Sequence, residues 1–286
     1  MRIFLWITGI KHDGTKEILG FWTDVLQDLI QRGATKILSI ITDDFNGLND
    51  VIKKLYTEQK WHEIFTLCQN MLESDPKDLV ALQNIATALL QVGKYDDVIS
   101  YCDTVLQMNP LDEYAIKNKI FALERLKKYD QVILYCDKLL GKNQNDPWTH
   151  DSKGLALNEL NRHEDAISSY DASLRIDPNN TTALMNKAIT LSYLQRHADA
   201  IPIYDKVQFI DGTIKEACIA KSDAYTKLGN TDEAFLAAQG MLVSDIIKFK
   251  EKAAEKKMRV FDYYCLNEFL EIEKREKPHM EKLGSK

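Results

Sequence analysis

The sequence predicts a mainly all-α protein, built as a solenoid of helix hairpins, with a small α/β fragment before the hairpins and a long helix after them. Three observations support this fold class. Glycine and proline, which interrupt helices, number only 12 and 6 among 286 residues. Apolar residues recur at helical spacing, and several residue types recur every 34 positions along most of the chain.

The first 44 residues do not share this repeat, and they predict a small α/β fragment of the order β-β-α-β. Apolar runs indicate the strands, the Asp13-Gly14 pair is typical of a hairpin turn, and helical spacing indicates the helix. The predicted strand, turn, strand, helix and strand cover residues 3–10, 12–14, 16–21, 24–31 and 36–41.

Columns of similar residues, spaced 34 positions apart, define the repeats. Leucine fills one column, aromatic residues and histidine fill a second, and valine or alanine fills a third. Their members are Leu55, Leu89, Leu123, Leu157 and Leu191; Tyr95, Tyr129, His163 and His197; and Val98, Val132, Ala166, Ala200 and Ala234. A period shared by independent columns predicts five repeats and a degenerate first copy. They cover residues 79–112, 113–146, 147–180, 181–214 and 215–248, with the degenerate copy at 45–78.

Each repeat is predicted to be a pair of helices. In residues 79–112, the first apolar helix ends near Gly93, and the second ends at Asn109-Pro110, because proline cannot continue the helical hydrogen-bond ladder. One column holds small residues, which allow the first helix of a repeat to approach its partner closely. Its members are Ala86, Gly154, Ala188 and Ser222.

Residues 249–286 are predicted to form a C-terminal capping helix and tail. From Ile247 onward, apolar residues recur at spacings of three, four or seven, so that one side of a long helix is apolar. The last repeat of an array exposes the side on which a further repeat would stack, and such a helix covers it. The apolar residues are Ile247, Ala254, Met258, Phe261, Cys265, Phe269 and Ile272.

The 34-residue unit resembles the tetratricopeptide repeat. It carries glycine or alanine at the eighth position, an aromatic residue at the seventeenth, alanine at the twentieth and proline at the thirty-second. The best copy is DPWTHDSKGLALNELNRHEDAISSYDASLRIDPNN, residues 146–180. The resemblance implies a right-handed superhelix whose concave surface binds extended peptides or helices. It therefore implies a scaffold or adaptor without catalytic activity.

The first fifty or so residues resemble the catalytic core of mutator-type transposases, which has a ribonuclease-H-like fold. The strings GIKHDGTKEILGFW and DVLQDLIQRGATKILSIITDDFNGL carry this resemblance. In that family an aspartate in this context is one of three metal-binding carboxylates, and Asp43, followed by Gly47-Leu48, matches it. Because its two companions are missing, we interpret Asp43 as vestigial and residues 1–44 as a transposase-like remnant. The alternative function is a transposase-derived, inactive nucleic-acid-binding or nuclease-like protein.

Candidate catalytic and metal-binding residues have simpler explanations. Cys68, Cys102 and Cys136 share one repeat position, so neighbouring thiols are expected about 10 Å apart, as small buried hydrophobes. His163 and His197 belong to the aromatic packing column. Paired metal-binding motifs, glycine-rich phosphate loops and serine elbows do not occur in the sequence. The sequence therefore predicts no enzyme activity, no cofactor and no metal site.

Charge and hydropathy indicate the kind of partner and the compartment. Residues 58–244 carry a net charge of −8 and the two ends together carry +2, which disfavours binding to nucleic-acid phosphates. No signal peptide or membrane-spanning stretch is recognised, and five cysteines, an odd number, favour free thiols. We therefore expect a cytoplasmic protein with a protein or peptide partner, and neither a nucleic-acid nor a membrane partner.

The resemblance to tetratricopeptide repeats also implies where a partner binds. In that family the concave face is built from first helices, at the second, fifth, ninth, twelfth and thirteenth positions of each repeat. These residues form an apolar strip with aromatic anchors, suited to an amphipathic helix. Two alternatives stay open: the side chains pack between repeats, or the C-terminal helix fills the groove. The candidate partner-binding residues are Tyr114, Lys117, Phe121, Arg125, Trp148, Asp151, Leu155, Met185, Ile189 and Tyr193.

Overall fold

The computed structural model describes residues 52, 55 and 57–283, and all secondary structure in this part of the chain is α-helical. The all-α class is therefore confirmed for these residues. The predicted β-β-α-β fragment at residues 1–44, with Asp43, lies outside the described residues. Among the described helices, none is both long enough and apolar enough to cross a membrane.

The chain divides into two compact units, residues 1–142 and 143–286. Consecutive helices pack against each other within each unit. In the first unit, the described helices are α1 (Trp61–Ser74), α2 (Leu79–Gln91), α3 (Tyr95–Met108), α4 (Glu113–Arg125) and α5 (Tyr129–Lys142). In the second unit, they are α6 (Pro147–Glu159), α7 (His163–Ile176), α8 (Thr181–Tyr193), α9 (His197–Ile210), α10 (Lys215–Lys227), α11 (Thr231–Ala238), α12 (Val243–Glu255) and α13 (Val260–Leu283).

The helices form hairpins in phase with the period read from the sequence. First helices from α2 to α10 have 13 residues, and second helices from α3 to α9 have 14. Several first helices begin at a side chain that accepts a hydrogen bond from the first turn, which stabilises the helix start. These N-cap residues are Asp78, Asp112 and Asn180. α6 instead begins at Pro147, whose fixed φ suits the first helical position.

A residue with left-handed backbone conformation joins the two helices of each hairpin. Six such residues have φ between 55° and 78° and recur every 34 positions. Only two of the six are glycine, although glycine adopts positive φ without steric strain. The recurrence shows that the period continues back to the turn before α1. The six residues are Gln59, Gly93, Lys127, Asn161, Gln195 and Gly229.

Close packing within a hairpin depends on the column of small residues. A Cβ atom on Gly154 of α6 would lie 2.5 Å from the Tyr170 ring of α7, and that ring is fully buried. In the next but one hairpin, the Ser222 hydroxyl on α10 donates a hydrogen bond to the Ala234 carbonyl on α11 at 2.8 Å. The predicted close approach of paired helices is therefore confirmed.

Lysine–aspartate pairs join the second helix of one hairpin to the first helix of the next. The two residues of each pair are 16 positions apart. These pairs were not predicted, although the aspartates and the lysines each recur with the 34-residue period of the repeats. The pairs are Lys119–Asp103, Lys187–Asp171 and Lys221–Asp205.

Lys221 is the most deeply buried lysine of these pairs. Its Nζ donates hydrogen bonds to Asp205 Oδ1 at 2.7 Å, to Gln208 Oε1 at 2.6 Å and to the Met241 carbonyl at 2.8 Å. Asp205 Oδ1 also accepts a hydrogen bond from the backbone N–H of Val243, the first residue of α12. The pair therefore holds the start of α12 against α9 and α10.

A long C-terminal helix, α13, is present as predicted, but the predicted helical face that begins at Ile247 is interrupted, because the structure divides this region into α12 and α13. The helices are separated at residues 256–259, where Lys257 has a φ of 53°. This turn resets the helical phase, so residues before and after it no longer share one face. Both helices still cover α10 and α11, through the buried residues Ile246, Ala253, Val260 and Tyr263. Of the predicted apolar residues, Met258 packs against this cluster, and the Phe261 ring lies 5.3 Å from the Phe235 ring of α11. The predicted residues Ile247, Ala254, Cys265 and Phe269 are exposed.

Candidate partner-binding site

First helices lie side by side within each unit. α2 contacts α4 in the first unit, and α8 contacts both α6 and α10 in the second. On an α-helix, the second, fifth, ninth, twelfth and thirteenth residues fall within about 100° of one another and so share one side. We call the surface formed by these five positions, counted from residues 79, 113, 147, 181 and 215, the first-helix face of each unit.

In the first unit, the predicted residues on α4 already interact with their neighbours. The Tyr114 hydroxyl is hydrogen-bonded to the Thr87 hydroxyl on α2. The Lys117 Nζ lies 2.8 Å from Oε1 of Glu113, one turn earlier in α4. The Arg125 guanidinium lies 4.9 Å from the centre of the Phe121 ring, within the range of a cation–π contact. The first-helix face of this unit is therefore partly aromatic, with its charges engaged locally.

In the second unit, most predicted residues form an apolar surface on α6 and α8. Trp148 is exposed at the start of α6, and Tyr193, at the end of α8, is 64% exposed. Leu155, Met185 and Ile189 are half-buried. Met185 and Ile189 also pack against the buried cluster formed by α7, α8 and α9. This face therefore combines exposed aromatic rings with apolar side chains that the core holds in place.

Asp151 differs from the other predicted residues because its side chain is buried. Asn180, the N-cap of α8, donates a hydrogen bond to Asp151 Oδ2 at 3.2 Å. Asp151 Oδ1 is sealed from solvent and has no hydrogen-bond partner among the described residues. Burial raises the pKa of the Asp151 carboxyl to about 6, and the hydrogen bond from Asn180 offsets only part of this effect. Asp151 thus links α6 to the start of α8.

Asn158 was not among the predicted site residues, and it lies one turn beyond Leu155 in α6. Asn158 Oδ1 lies 3.1 Å from the Thr190 hydroxyl on α8 and 2.8 Å from Nδ1 of His163, the first residue of α7. The His163 ring stacks on the Tyr193 ring, with the ring centres 6.0 Å apart. These side chains form one polar and aromatic cluster. The signal for Asn158 was its twelfth position, which the family's pattern places on the concave face.

Ile219, at the fifth position of α10, was not predicted as a site residue either. This side chain is 67% exposed. Exposed apolar residues occur on second helices as well, notably Leu134 on α5 and Phe209 on α9. Because single exposed apolar residues are common on protein surfaces, exposure alone does not mark a site. The first-helix face of the second unit differs in presenting Trp148, Tyr193 and Ile219 on adjacent helices.

Within the described residues, no group of three His, Cys, Asp or Glu side chains is arranged to hold a metal ion. Cys68, Cys102 and Cys136 are buried, which confirms their prediction as small buried hydrophobes. Burial raises the pKa of Cys68 and of Cys102 to about 12, so both thiols stay protonated at neutral pH. A protonated, buried thiol is a poor nucleophile and a poor metal ligand.

Two family descriptions match parts of the chain. "Transposase, Mutator family" matches residues 2–100, and "Tetratricopeptide repeat" matches residues 150–180. Both resemblances expected from the sequence are therefore confirmed. The transposase match extends beyond residue 44, and its described part includes α1 and α2. No curated protein sequence matches the chain significantly.

Solved tetratricopeptide-repeat structures share the fold. MamA from Desulfovibrio magneticus RS-1 has a TM-score of 0.55 at 17% identity, covering 58% of this chain and 94% of its own. A second MamA structure has a TM-score of 0.53 at 17% identity, covering 63% of this chain and 96% of its own. YrrB is described as a TPR protein with an unusual peptide-binding site. It has a TM-score of 0.51 at 16% identity, and the match covers 66% of this chain and 97% of YrrB. At these identities the similarity establishes the fold.

Proposed function

We propose that this chain is a non-catalytic scaffold or adaptor that binds a peptide or helix of a partner protein on its first-helix face. The observation that carries the proposal is the row of exposed apolar side chains on adjacent first helices of the second unit. Large aromatic side chains of this kind contribute much of the binding energy in protein interfaces. The row consists of Trp148 on α6, Tyr193 on α8 and Ile219 on α10.

The half-buried residues between these anchors support the same proposal. Met185 and Ile189 present part of their surface while the core fixes the rest, and Leu155 is half-buried in the same way. A ligand side chain would therefore pack on an apolar surface whose side chains are already held in place. Fixing side chains before binding reduces the conformational entropy that is lost on association. In the first unit, the proposal assigns partner contact to Tyr114, Lys117, Phe121 and Arg125.

The comparisons support a binding module because the fold is shared with a protein described as having a peptide-binding site. We take residues 45–248 as the repeat array and residues 249–286 as its C-terminal cover. All five cysteines are free thiols, which suits a reducing compartment, and we propose a cytoplasmic location.

A second candidate function is favoured by the match of residues 2–100 to mutator-family transposases. It is a transposase-derived nucleic-acid-binding or nuclease-like protein. Transposition chemistry needs several carboxylates that hold divalent metal ions, and Asp43 supplies one of them in the sequence. DNA cleavage that requires Mg²⁺ or Mn²⁺ and is lost in Asp43→Ala would favour this candidate over the scaffold.

The scaffold proposal predicts that the double variant Trp148→Ala, Tyr193→Ala binds its ligand at least about tenfold more weakly, because each ring is worth about 1 kcal/mol or more. The ligand is a peptide that the wild-type chain enriches from a displayed library of random short peptides. Fluorescence polarisation gives Kd for both proteins. Circular dichroism checks that Tm changes by only a few degrees.

The control variant, Phe209→Ala with Ile176→Ala, removes exposed apolar surface from second helices of the same unit. Both side chains are exposed, Phe209 by 78%. We expect this control to keep the wild-type Kd. Equal weakening in the two variants, or no weakening in the Trp148 and Tyr193 pair, would show that the ligand binds elsewhere.

A further inference from the structure

The last helix, α13, packs on the rest of its unit near its start. Val260 and Tyr263 are buried in the cluster shared with α10, α11 and α12, and Tyr264 packs against that cluster. Every residue in the range 265–270 is exposed. The helix nevertheless continues to Leu283, about 27 Å further along at 1.5 Å per residue. Because most helix stability in proteins comes from packing of an apolar side, a helix of this length calls for a partner.

The exposed part of α13 is apolar along one side. Phe269 is 63% exposed, and Phe261, although its ring touches α11, is still 55% exposed. On a helix these two residues and Cys265 lie on the side opposite to Val260 and Tyr263. The spacing in the sequence continues this row to the last turn of α13. An apolar, exposed row of this kind marks an interaction surface. We call the row the α13 stripe; it consists of the positions Phe261, Cys265, Phe269, Ile272, Met280 and Leu283.

The order of residues along α13 indicates that the partner is a second copy of the chain. The α13 stripe is nearly symmetric about Ile272, because Phe261 and Leu283 each lie eleven residues from it. Charge is complementary about the same point. Residues 260–273 contain four acidic and no basic residues, whereas residues 274–283 contain four basic and two acidic residues. An antiparallel pair of these helices places the acidic half of each along the basic half of the other, whereas a parallel pair opposes like charges.

We propose that two copies of this chain associate through the α13 stripe, with their α13 helices antiparallel and crossing near Ile272. Both copies use the same surface, so the association closes with two copies and leaves no stripe uncovered. Apolar residues from the two stripes then pack between the helices, as in a coiled coil. The inference is independent of the proposed function, because α13 lies outside the first-helix face.

Sedimentation equilibrium of the full chain at micromolar concentration tests the association. Phe269→Glu keeps a good helix former but places one charge per copy in the stripe. We expect its dimer Kd to rise at least about 100-fold, about tenfold for each copy. Phe209→Glu on α9 is the matched control, since Phe209 is 78% exposed and lies outside the stripe, and it should keep the wild-type Kd. A monomeric wild-type chain, an unchanged Kd in Phe269→Glu, or equal weakening in both variants would overturn the proposal.

Disulfide formation tests the antiparallel arrangement. Each Cys265 lies seven residues before the crossing point, so the two are about 21 Å apart along the pair, too far for a disulfide. The double variant Cys265→Ser, Ile272→Cys places the two thiols at the crossing point instead. After mild oxidation, we expect a covalent dimer of the double variant and none of wild type on non-reducing electrophoresis. A wild-type covalent dimer that is lost in Cys265→Ser, or no covalent dimer of the double variant, would overturn this arrangement.

Discussion

Replacing Lys221 by methionine is expected to lower the free energy of unfolding by about 3–5 kcal/mol, as for a broken buried ion pair. Lys221 is fully buried, and its Nζ donates hydrogen bonds to Asp205, Gln208 and Met241. Methionine fills a similar volume but leaves these acceptors without their donor. Because Asp205 also binds the N–H of Val243, the start of α12 should loosen as well. Urea unfolding followed by far-ultraviolet circular dichroism measures the loss.

Lys187→Met is the matched control because Lys187 holds the same position in its repeat. Its hydrogen bond is to Asp171, at 2.5 Å, and both side chains are partly exposed. Partly exposed ion pairs contribute about 1 kcal/mol or less, so the control should lose no more than that. Equal losses in the two variants would show that the network around Lys221 adds nothing to an ordinary ion pair.

The second large effect is expected for Gly154→Ala, which should destabilise the chain by about 1–3 kcal/mol through overpacking. The new Cβ would lie 2.5 Å from Cε1 and 2.7 Å from Cδ1 of Tyr170, whose ring is fully buried. α6 and α7 would have to move apart to accept it. This loss should outweigh the gain of up to about 1 kcal/mol that alanine brings to a helix.

Gly141→Ala is the same chemical change as Gly154→Ala, but it is expected to raise the stability of the chain instead of lowering it. Gly141 lies in α5, and an added Cβ would meet no atom within 4 Å. We therefore expect stabilisation by up to about 1 kcal/mol, from helix propensity alone. Thermal unfolding compares the two variants with wild type. A Gly154→Ala variant as stable as Gly141→Ala would mean that the Tyr170 ring yields easily and that close approach is not required.

The hairpins could be predicted because residues that pack helix against helix must recur once per repeat. Gly154 was named from its column alone, and the structure supplied the physical reason in the Tyr170 ring. The turns were harder to predict in detail. Lys127 and Gln195 adopt the left-handed conformation that Gly93 adopts in the same position, and their residue type alone gives no sign of it.

The C-terminal break could not be predicted for the same reason. Residues 256–259 contain neither glycine nor proline, and Lys257 takes the left-handed conformation that ends α12. Apolar spacing continues across the break, so it predicted a single helix. The predicted face was also one residue out of register on both sides of the break. Ile246, Ala253 and Val260 are buried, whereas Ile247, Ala254 and Phe261 were predicted.

The ion pairs between hairpins were missed although their signal was present. Asp103 and Asp171 share one column, and Lys119 and Lys187 share another. Apolar columns predicted the packing, because lysine is almost always exposed and a periodic row of lysines commonly lies on a solvated face. Only the structure shows that Lys221 is buried and paired. The twelfth position of Asn158 placed it on the predicted face, but its contacts with α7 and α8 could not be read from spacing within α6.

The central claim is that the partner binds the first-helix face, and site-specific photo-crosslinking tests it most directly. A photoreactive benzoylphenylalanine replaces Tyr193 in one protein and Phe209 in another, since both aromatic side chains are exposed in the second unit. Each protein is irradiated with the peptide that the wild-type chain enriches. We predict a covalent adduct from position 193 and none above background from position 209. An adduct from position 209 without one from position 193 would contradict the proposed function.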